Sequence, residues 1–95
     1  MQKAHGKDFV LKNGLSLELL SHPGETLYEL IHDRGMDQKE LAIRAGFSEK
    51  HISKVLSGTY DITAKFAYAL EYVFGAPAIF WTELQANYDT ELGLA

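Results

Sequence analysis

The sequence contains no cysteine, two prolines and one tryptophan among its 95 residues. Without cysteine there is no disulfide and no thiolate metal site, and the chain suits a reducing compartment. No apolar run of about 18 residues occurs, nor a basic start followed by an apolar segment, so neither a membrane span nor a secretory signal is predicted. We therefore expect one small cytoplasmic domain, for which 46% hydrophobic residues supply a sufficient core.

The formal net charge of −4 is unevenly distributed along the chain. Between Arg34 and Lys65, six basic residues stand against four acidic ones, a balance of +2, whereas the remainder carries three basic and nine acidic residues, a balance of −6. Attraction to phosphate dominates non-specific binding to nucleic acid, so only the central segment suits such a ligand. The acidic remainder suits a basic protein partner, or serves only solubility.

The most informative segment extends from Gln38 to Gly58. Apolar side chains recur there at helical spacing and predict two short helices that pack together: Leu41, Ala42, Ala45, Ile52, Val55 and Leu56. Gly46 lies between the helices and can adopt the positive φ of a tight turn because it lacks a Cβ. The second helix is left with a polar outer face. This pattern is typical of a helix-turn-helix, which inserts its second helix into the DNA major groove.

Helix-start and helix-end signals divide the rest of the chain. Glycines suited to the position after a helix follow each periodic stretch: Gly35, Gly46, Gly58, Gly75 and Gly93. Residues suited to helix starts precede the stretches: Pro23, Asp37 with Glu40, Ser48, Thr63 and Pro77. The sequence therefore predicts helices at 23–34, 37–45, 48–57, 63–74 and 77–91, and an all-α, five-helix domain over residues 22–95.

Residues 1–21 do not follow this pattern and are expected to form an N-terminal arm. Asn13-Gly14 lies between two apolar-rich runs, which favours a type I′ β-hairpin over residues 9–19. A lone hairpin is marginal and would have to pack on the helices or on another chain. The alternative is a partly ordered arm with one short extended piece.

Three pieces of the sequence occur together at specific distances. They are the opening His22-Pro23-Gly24-Glu25, the helix-turn-helix at 38–58, and the tail Phe80-Trp81 followed by Leu84-Gln85-Ala86-Asn87-Tyr88-Asp89. On these motifs the chain from His22 to Asp89 resembles the HigA/VapI-type antitoxins of the lambda-repressor-like (Xre) superfamily. Two positions depart from that pattern: Glu49 is acidic where relatives are often basic or polar, and Ala76 replaces the usual Ser or Thr before Pro77.

The resemblance implies a homodimer that binds double-stranded operator DNA, represses its own promoter and neutralises a small basic toxin that cleaves mRNA. One alternative is a stand-alone Xre-type repressor with no toxin partner. Another is the DNA-binding head of a fused peptidase-type regulator. The ending Glu91-Leu92-Gly93-Leu94-Ala95 is typical of a completed helix end and favours a free-standing protein.

The predicted contacts with DNA lie mainly on the second helix of the helix-turn-helix. We expect base contacts from Glu49, Lys50, His51 and Lys54, which we place on the outward face of that helix. Expected phosphate contacts come from Gln38, Lys39, Ser48, Ser53, Ser57, Thr59 and Tyr60. For several of these positions an ordinary solvated surface is the alternative. Four large side chains on the last helix are predicted to contribute to a dimer interface: Phe80, Trp81, Leu84 and Tyr88.

No pattern in the sequence indicates catalysis. The four histidines lack metal-ligand spacing, no glycine-rich phosphate loop is present, and no Ser, His and Asp set is plausibly arranged. The carboxylates are scattered along predicted helix surfaces. We therefore expect no enzymatic activity, no metal site and no cofactor.

Overall fold

The computed structural model describes residues 22–93, so the hairpin predicted at 9–19 lies outside the described residues. The described part consists of five helices: α1 (Pro23–Asp33), α2 (Gln38–Ala45), α3 (Glu49–Leu56), α4 (Ala64–Phe74) and α5 (Ala78–Glu91). The predicted all-α fold is confirmed, and every helix boundary agrees with the prediction to within one residue. None of the helices in this range is long and apolar enough to span a membrane.

Three helices begin at the side-chain caps that the sequence predicted. Asp37 Oδ1 accepts a hydrogen bond from the Glu40 N–H at 2.8 Å, Ser48 Oγ from the His51 N–H at 3.0 Å, and Thr63 Oγ1 from the Phe66 N–H at 3.2 Å. Each bond satisfies a backbone donor that has no partner within its helix. Local sequence therefore decides where these three helices start.

Helix α5 begins differently because neither Ala76 nor Pro77 provides a capping side chain. Pro77 occupies the N-cap position and makes no side-chain bond to the helix. The carboxylate of Glu71 on α4 takes over this role: its Oε1 accepts a hydrogen bond from the Ala78 N–H at 3.0 Å. An N–H group at the start of α5 thus finds its acceptor on a neighbouring helix, and this bond also joins α4 to α5.

The core lies where all five helices meet. Helix α4 packs against α2 and α5, while α1 packs against α3 and α5. The largest side chains without exposed surface are Trp81 and Phe66, and around them lie the helix-turn-helix residues Leu41, Ile52 and Val55. Gly46 in the turn has φ of 75°, the left-handed conformation that the sequence predicted there. The core thereby holds α2 and α3 in a fixed crossing.

The opening His22-Pro23-Gly24 fixes α1 against the end of α3. His22 Nδ1 accepts a hydrogen bond from the Gly24 N–H at 2.8 Å and caps α1, while its ring meets Tyr88 of α5 edge-on at 4.8 Å. A Cβ on Gly24 would clash with the backbone carbonyl oxygens of Val55 and Leu56. Glycine is needed at this position because the two backbones approach so closely.

Candidate nucleic-acid interface

The outer face of α3 is polar and open to solvent. Glu49, Lys50, Ser53 and Ser57 are exposed, and Lys54 is half-buried. Within residues 22–93, Arg44 forms an ion pair with Glu40 at 2.7 Å. Neither Lys50 nor Lys54 is paired with a carboxylate of this range. Two ammonium groups one helical turn apart therefore remain available for phosphate oxygens or the acceptors of guanine. Glu49 adds a carboxylate at the start of α3, where the positive end of the helix dipole favours it.

The start of α2 presents a second set of donors. Gln38 and Lys39 occupy the first two positions of the helix, where backbone N–H groups have no partner inside the helix. Lys39 is exposed and Gln38 is half-buried. The Asp37 carboxylate lies beside this helix start and binds the Glu40 N–H. A phosphate placed there would gain the lysine and the free N–H groups but would also meet the charge of Asp37.

The loop after α3 folds back onto the end of that helix. The N–H groups of Thr59 and Tyr60 both donate to the Lys54 carbonyl oxygen, at 2.9 and 3.1 Å. The Ser57 hydroxyl also donates to that oxygen at 3.1 Å, and its Oγ lies 3.0 Å from Thr59 Oγ1. These bonds place the hydroxyls of Ser57 and Thr59, and the backbone of Tyr60, at the end of α3. In this conformation the Ser57 proton is already engaged, so its hydroxyl must rotate to donate to a phosphate.

Ser48 also serves in an internal role. Its Oγ accepts from the His51 N–H, but its hydroxyl proton is left to donate elsewhere. The side chain is exposed at the start of α3, next to Glu49. The structure therefore brings the polar groups of α3, the start of α2 and the loop after α3 into one helix-turn-helix unit.

His51 does not lie on the outward face, and this part of the sequence interpretation is wrong. Its half-buried ring packs against Phe47 at 4.7 Å, Phe66 at 5.0 Å and Tyr60 at 5.2 Å between ring centroids. Its Nε2 is buried without a hydrogen-bond partner. Helical position alone suggested an exposed residue, but the aromatic neighbours draw the ring towards the core.

The four predicted interface residues of α5 differ in their exposure. Trp81 has no exposed surface and belongs to the core, so it is not available to a partner chain, contrary to the prediction. Phe80 is 42% exposed, and Leu84 and Tyr88 are half-buried. Phe80, Leu84 and Tyr88 recur at intervals of four residues, so they follow one flank of α5.

Tyr88 is surrounded by acidic groups at the junction of α1 and α5. Burial, followed by the nearby carboxylates of Glu25, Asp89 and Asp61, raises the pKa of its hydroxyl above the ordinary value. The neutral phenol is therefore favoured in the folded protein. Tyr88, at the end of this apolar flank, therefore lies near carboxylates.

Sequence reasoning missed the role of Gln85. Gln85 is a buried polar residue in the core, and its Oε1 accepts from the Ile62 N–H at 2.8 Å. Its Nε2 donates to Asp89 Oδ1 at 3.0 Å and to Asp61 Oδ1 at 3.3 Å. A polar residue one turn after Trp81, at core spacing on α5, was the available signal. Gln85 ties the loop that follows α3 to the last helix.

Similarity to solved structures indicates the family of this chain. No protein-family model and no curated protein sequence matches the chain. Among solved structures, it is similar to an addiction module antidote protein of the HigA family from Coxiella burnetii, with 34% identity, a TM-score of 0.73, and coverage of 79% of this chain and 83% of that one.

Two further similar structures come from Pseudomonas aeruginosa. PA4674 in complex with its operator DNA is 27% identical with a TM-score of 0.74, covering 77% of this chain and 80% of that one. The antitoxin HigA with the higBA promoter is 28% identical with a TM-score of 0.72, covering 75% and 78%. The resemblance seen in the sequence is thus confirmed by fold, identity and coverage together. The chain belongs to the HigA family of antidote proteins.

Proposed function

We propose that this protein is the antitoxin of a type II toxin–antitoxin pair, which binds the operator of its own operon as a homodimer and neutralises an mRNA-cleaving toxin. The observation that carries the DNA-binding part is the open polar face of α3, supported on its inner side by a continuous core. Two of the structurally similar proteins have been solved with DNA: PA4674 with its operator and the Pseudomonas aeruginosa antitoxin HigA with the higBA promoter.

In the proposed complex α3 enters the major groove. Lys50 and Lys54 reach base edges or nearby phosphates, and Glu49 accepts from the amino group of cytosine. Gln38 and Lys39 at the start of α2 hold the backbone on one side of the groove, as they would at a helix N-terminus. The hydroxyls of Ser48, Ser53, Ser57, Thr59 and Tyr60 supply further phosphate contacts.

The proposed homodimer uses the apolar flank of α5. Phe80 is exposed, and Leu84 and Tyr88 continue the same flank, whereas Trp81 supports it from within the core. A two-fold dimer would place the two α3 helices in successive major grooves, about 34 Å apart. Such an arrangement would require an operator whose half-sites are related by two-fold symmetry.

The distribution of charge supports a basic protein partner. Residues 22–33 hold three carboxylates and residues 66–93 hold four, and neither segment contains Lys or Arg. All Lys and Arg side chains of residues 22–93 therefore lie on or beside the helix-turn-helix. DNA and a basic toxin would be drawn to different surfaces, so both are able to bind at once.

Operator binding is tested with DNA from upstream of the gene that encodes this chain. In the double variant Lys50→Ala with Lys54→Ala, we expect the operator affinity to fall by about 5–150-fold per lysine that touches a base, because a good base contact contributes about 1–3 kcal/mol. The matched control is Arg44→Ala, which removes one positive charge at the opposite end of α2 from Gln38. Unchanged affinity and an unchanged salt dependence in the double variant would rule out the assignment.

The antitoxin role is tested by expressing the small basic protein encoded beside the gene. Alone it should arrest growth, and with this chain it should be harmless and co-purify as a complex. Absence of any such neighbour, or a neighbour that is harmless alone, would favour the stand-alone repressor. A peptidase domain fused in the same reading frame would favour the regulator head instead.

A further inference from the structure

Four aromatic side chains meet at the inner edge of the candidate interface, and we call them the His51 cluster: Phe47, His51, Tyr60 and Phe66. His51 is the common member, with ring centroids 4.7–5.2 Å from the other three. Phe47 and Phe66 also meet edge-on at 4.9 Å. Such distances are those of aromatic pairs that contribute beyond simple burial.

The members of the cluster come from every segment around α3. Phe47 belongs to the turn before the helix, His51 to its first turn, and Tyr60 to the loop after it. Phe66 lies on α4 and has no exposed surface. The imidazole therefore connects the turn before α3 and the loop after α3 to Phe66 in the core.

The contacts of the His51 ring are packing contacts with other rings. Its Nε2 is buried and makes no hydrogen bond, and its backbone N–H is already bound to Ser48 Oγ. Because Nε2 is buried among aromatic rings, that atom is not placed to read a base edge. The ring as a whole, in contrast, packs against three other aromatic rings.

We propose that His51 is a positioning residue for operator recognition, which acts through the rotation of α3 and the placement of Tyr60 and contacts no base itself. This proposal rests on the proposed operator binding. Successive residues of an α-helix are separated by about 100° around its axis, so anchoring His51 towards the core directs Lys50 outwards. Ser53 and Lys54 follow in the next turn and share that orientation.

The same anchor fixes Tyr60 beside the end of α3. Without the imidazole, Tyr60 and Phe47 would face a gap, and the first turn of α3 would be free to roll into it. The phosphate-binding groups at the start of α2 would be unaffected. Loss of the ring should therefore weaken operator binding more than binding to unrelated DNA, because base contacts require the more exact placement.

The test compares His51→Phe with His51→Ala in the full chain. His51→Phe keeps an aromatic ring but no nitrogen, so it should bind operator within about threefold of the unaltered protein. His51→Ala should lose about tenfold or more in operator affinity, while its affinity for unrelated duplex DNA changes by less than about threefold; these ratios correspond to about 1.4 kcal/mol and 0.7 kcal/mol. Thermal unfolding of each variant identifies the temperature at which the domains are folded, and binding is measured below it.

A double-variant cycle with Tyr60→Ala provides a second readout. If His51 acts through Tyr60, the effects of His51→Ala and Tyr60→Ala on operator affinity should be non-additive, whereas His51→Ala and Lys39→Ala should add. Additivity of the first pair would overturn the link to Tyr60.

The outcomes separate this proposal from the proposed function. Operator binding by the unaltered chain, with His51→Phe as weak as His51→Ala, would show that the ring nitrogens are needed and would overturn the positioning role alone. Full operator affinity in His51→Ala would overturn it as well. No operator binding by the unaltered chain would remove both the proposed function and the role built on it.

Discussion

Replacing Gln85 with leucine should destabilise the fold through its hydrogen bonds rather than its volume. The side chain is 7% exposed, and leucine fills nearly the same space, so little cavity is created. The Ile62 N–H loses its acceptor at a residue that is 4% exposed. A buried donor without a partner costs about 1–3 kcal/mol.

Loss of the hydrogen bonds from Gln85 Nε2 to Asp61 and Asp89 adds a smaller destabilisation. Asp61 is exposed and returns to water, but Asp89 is half-buried and loses a bond of 3.0 Å, which costs about 0.5–1.5 kcal/mol. We therefore expect Gln85→Leu to lower the free energy of unfolding by about 1.5–4.5 kcal/mol. For a domain of this size each kcal/mol lowers Tm by about 4–8 °C, so Tm should fall by about 6–36 °C.

Urea unfolding and amide hydrogen exchange together test this reasoning. The matched control is Asn87→Leu on the exposed side of the same helix, which should change stability by about 0.5 kcal/mol or less. The Ile62 amide should lose protection from exchange in Gln85→Leu and keep it in the control. A loss below about 1 kcal/mol, or an Ile62 amide that stays protected, would refute the assignment of Gln85 as its acceptor.

Three further changes probe the junctions between helices. Gly24→Ala should lower the free energy of unfolding, measured in urea, by about 1–3 kcal/mol, because the added Cβ meets backbone oxygens of α3 that cannot move away. This loss is expected although alanine favours helix more than glycine does. Equal or greater stability of the variant would contradict the close approach of the two backbones. Glu71→Ala should lower the free energy of unfolding by about 1 kcal/mol, because the Ala78 N–H loses its acceptor. Glu71→Gln keeps an acceptor and should lose less stability, so equal losses in the two variants would show that the cap is unimportant. The raised pKa of Tyr88 means that the folded state favours the neutral phenol, so this stabilisation is complete below about pH 10 and disappears as pH rises through the folded-state pKa. Tyr88→Phe should therefore lose less stability than the unaltered protein above pH 10 in urea unfolding, and equal losses in the two proteins would contradict this reasoning.

Much of the fold is encoded locally, and for that reason it was predictable. Asp37, Ser48 and Thr63 cap helices whose first free N–H groups lie only a few residues away. Gly46 takes the left-handed conformation that the turn of the helix-turn-helix requires. Such interactions span one turn of chain, so residue type and spacing are enough to locate them.

The outward orientation of Lys50 also followed from helical periodicity, whereas that of His51 did not. A histidine at its position is equally able to point to solvent or to turn inwards, and rings from the turn, the loop and α4 decide the outcome. Trp81 illustrates the same limit: its spacing indicated a large apolar side chain, but only the packing of α5 shows that none of it is exposed.

The sequence by itself determined five helices, the caps of three of them, the turn of the helix-turn-helix, and the family to which they point, because each signal is local or is a motif read in order. The tertiary structure alone decided the contacts between residues distant in the chain. Gln85 reaches Asp61 and Ile62 across 24 and 23 positions, and Glu71 caps a helix to which it does not belong. These partners are selected by how the helices pack, since the packing fixes which polar groups are buried together and must satisfy one another.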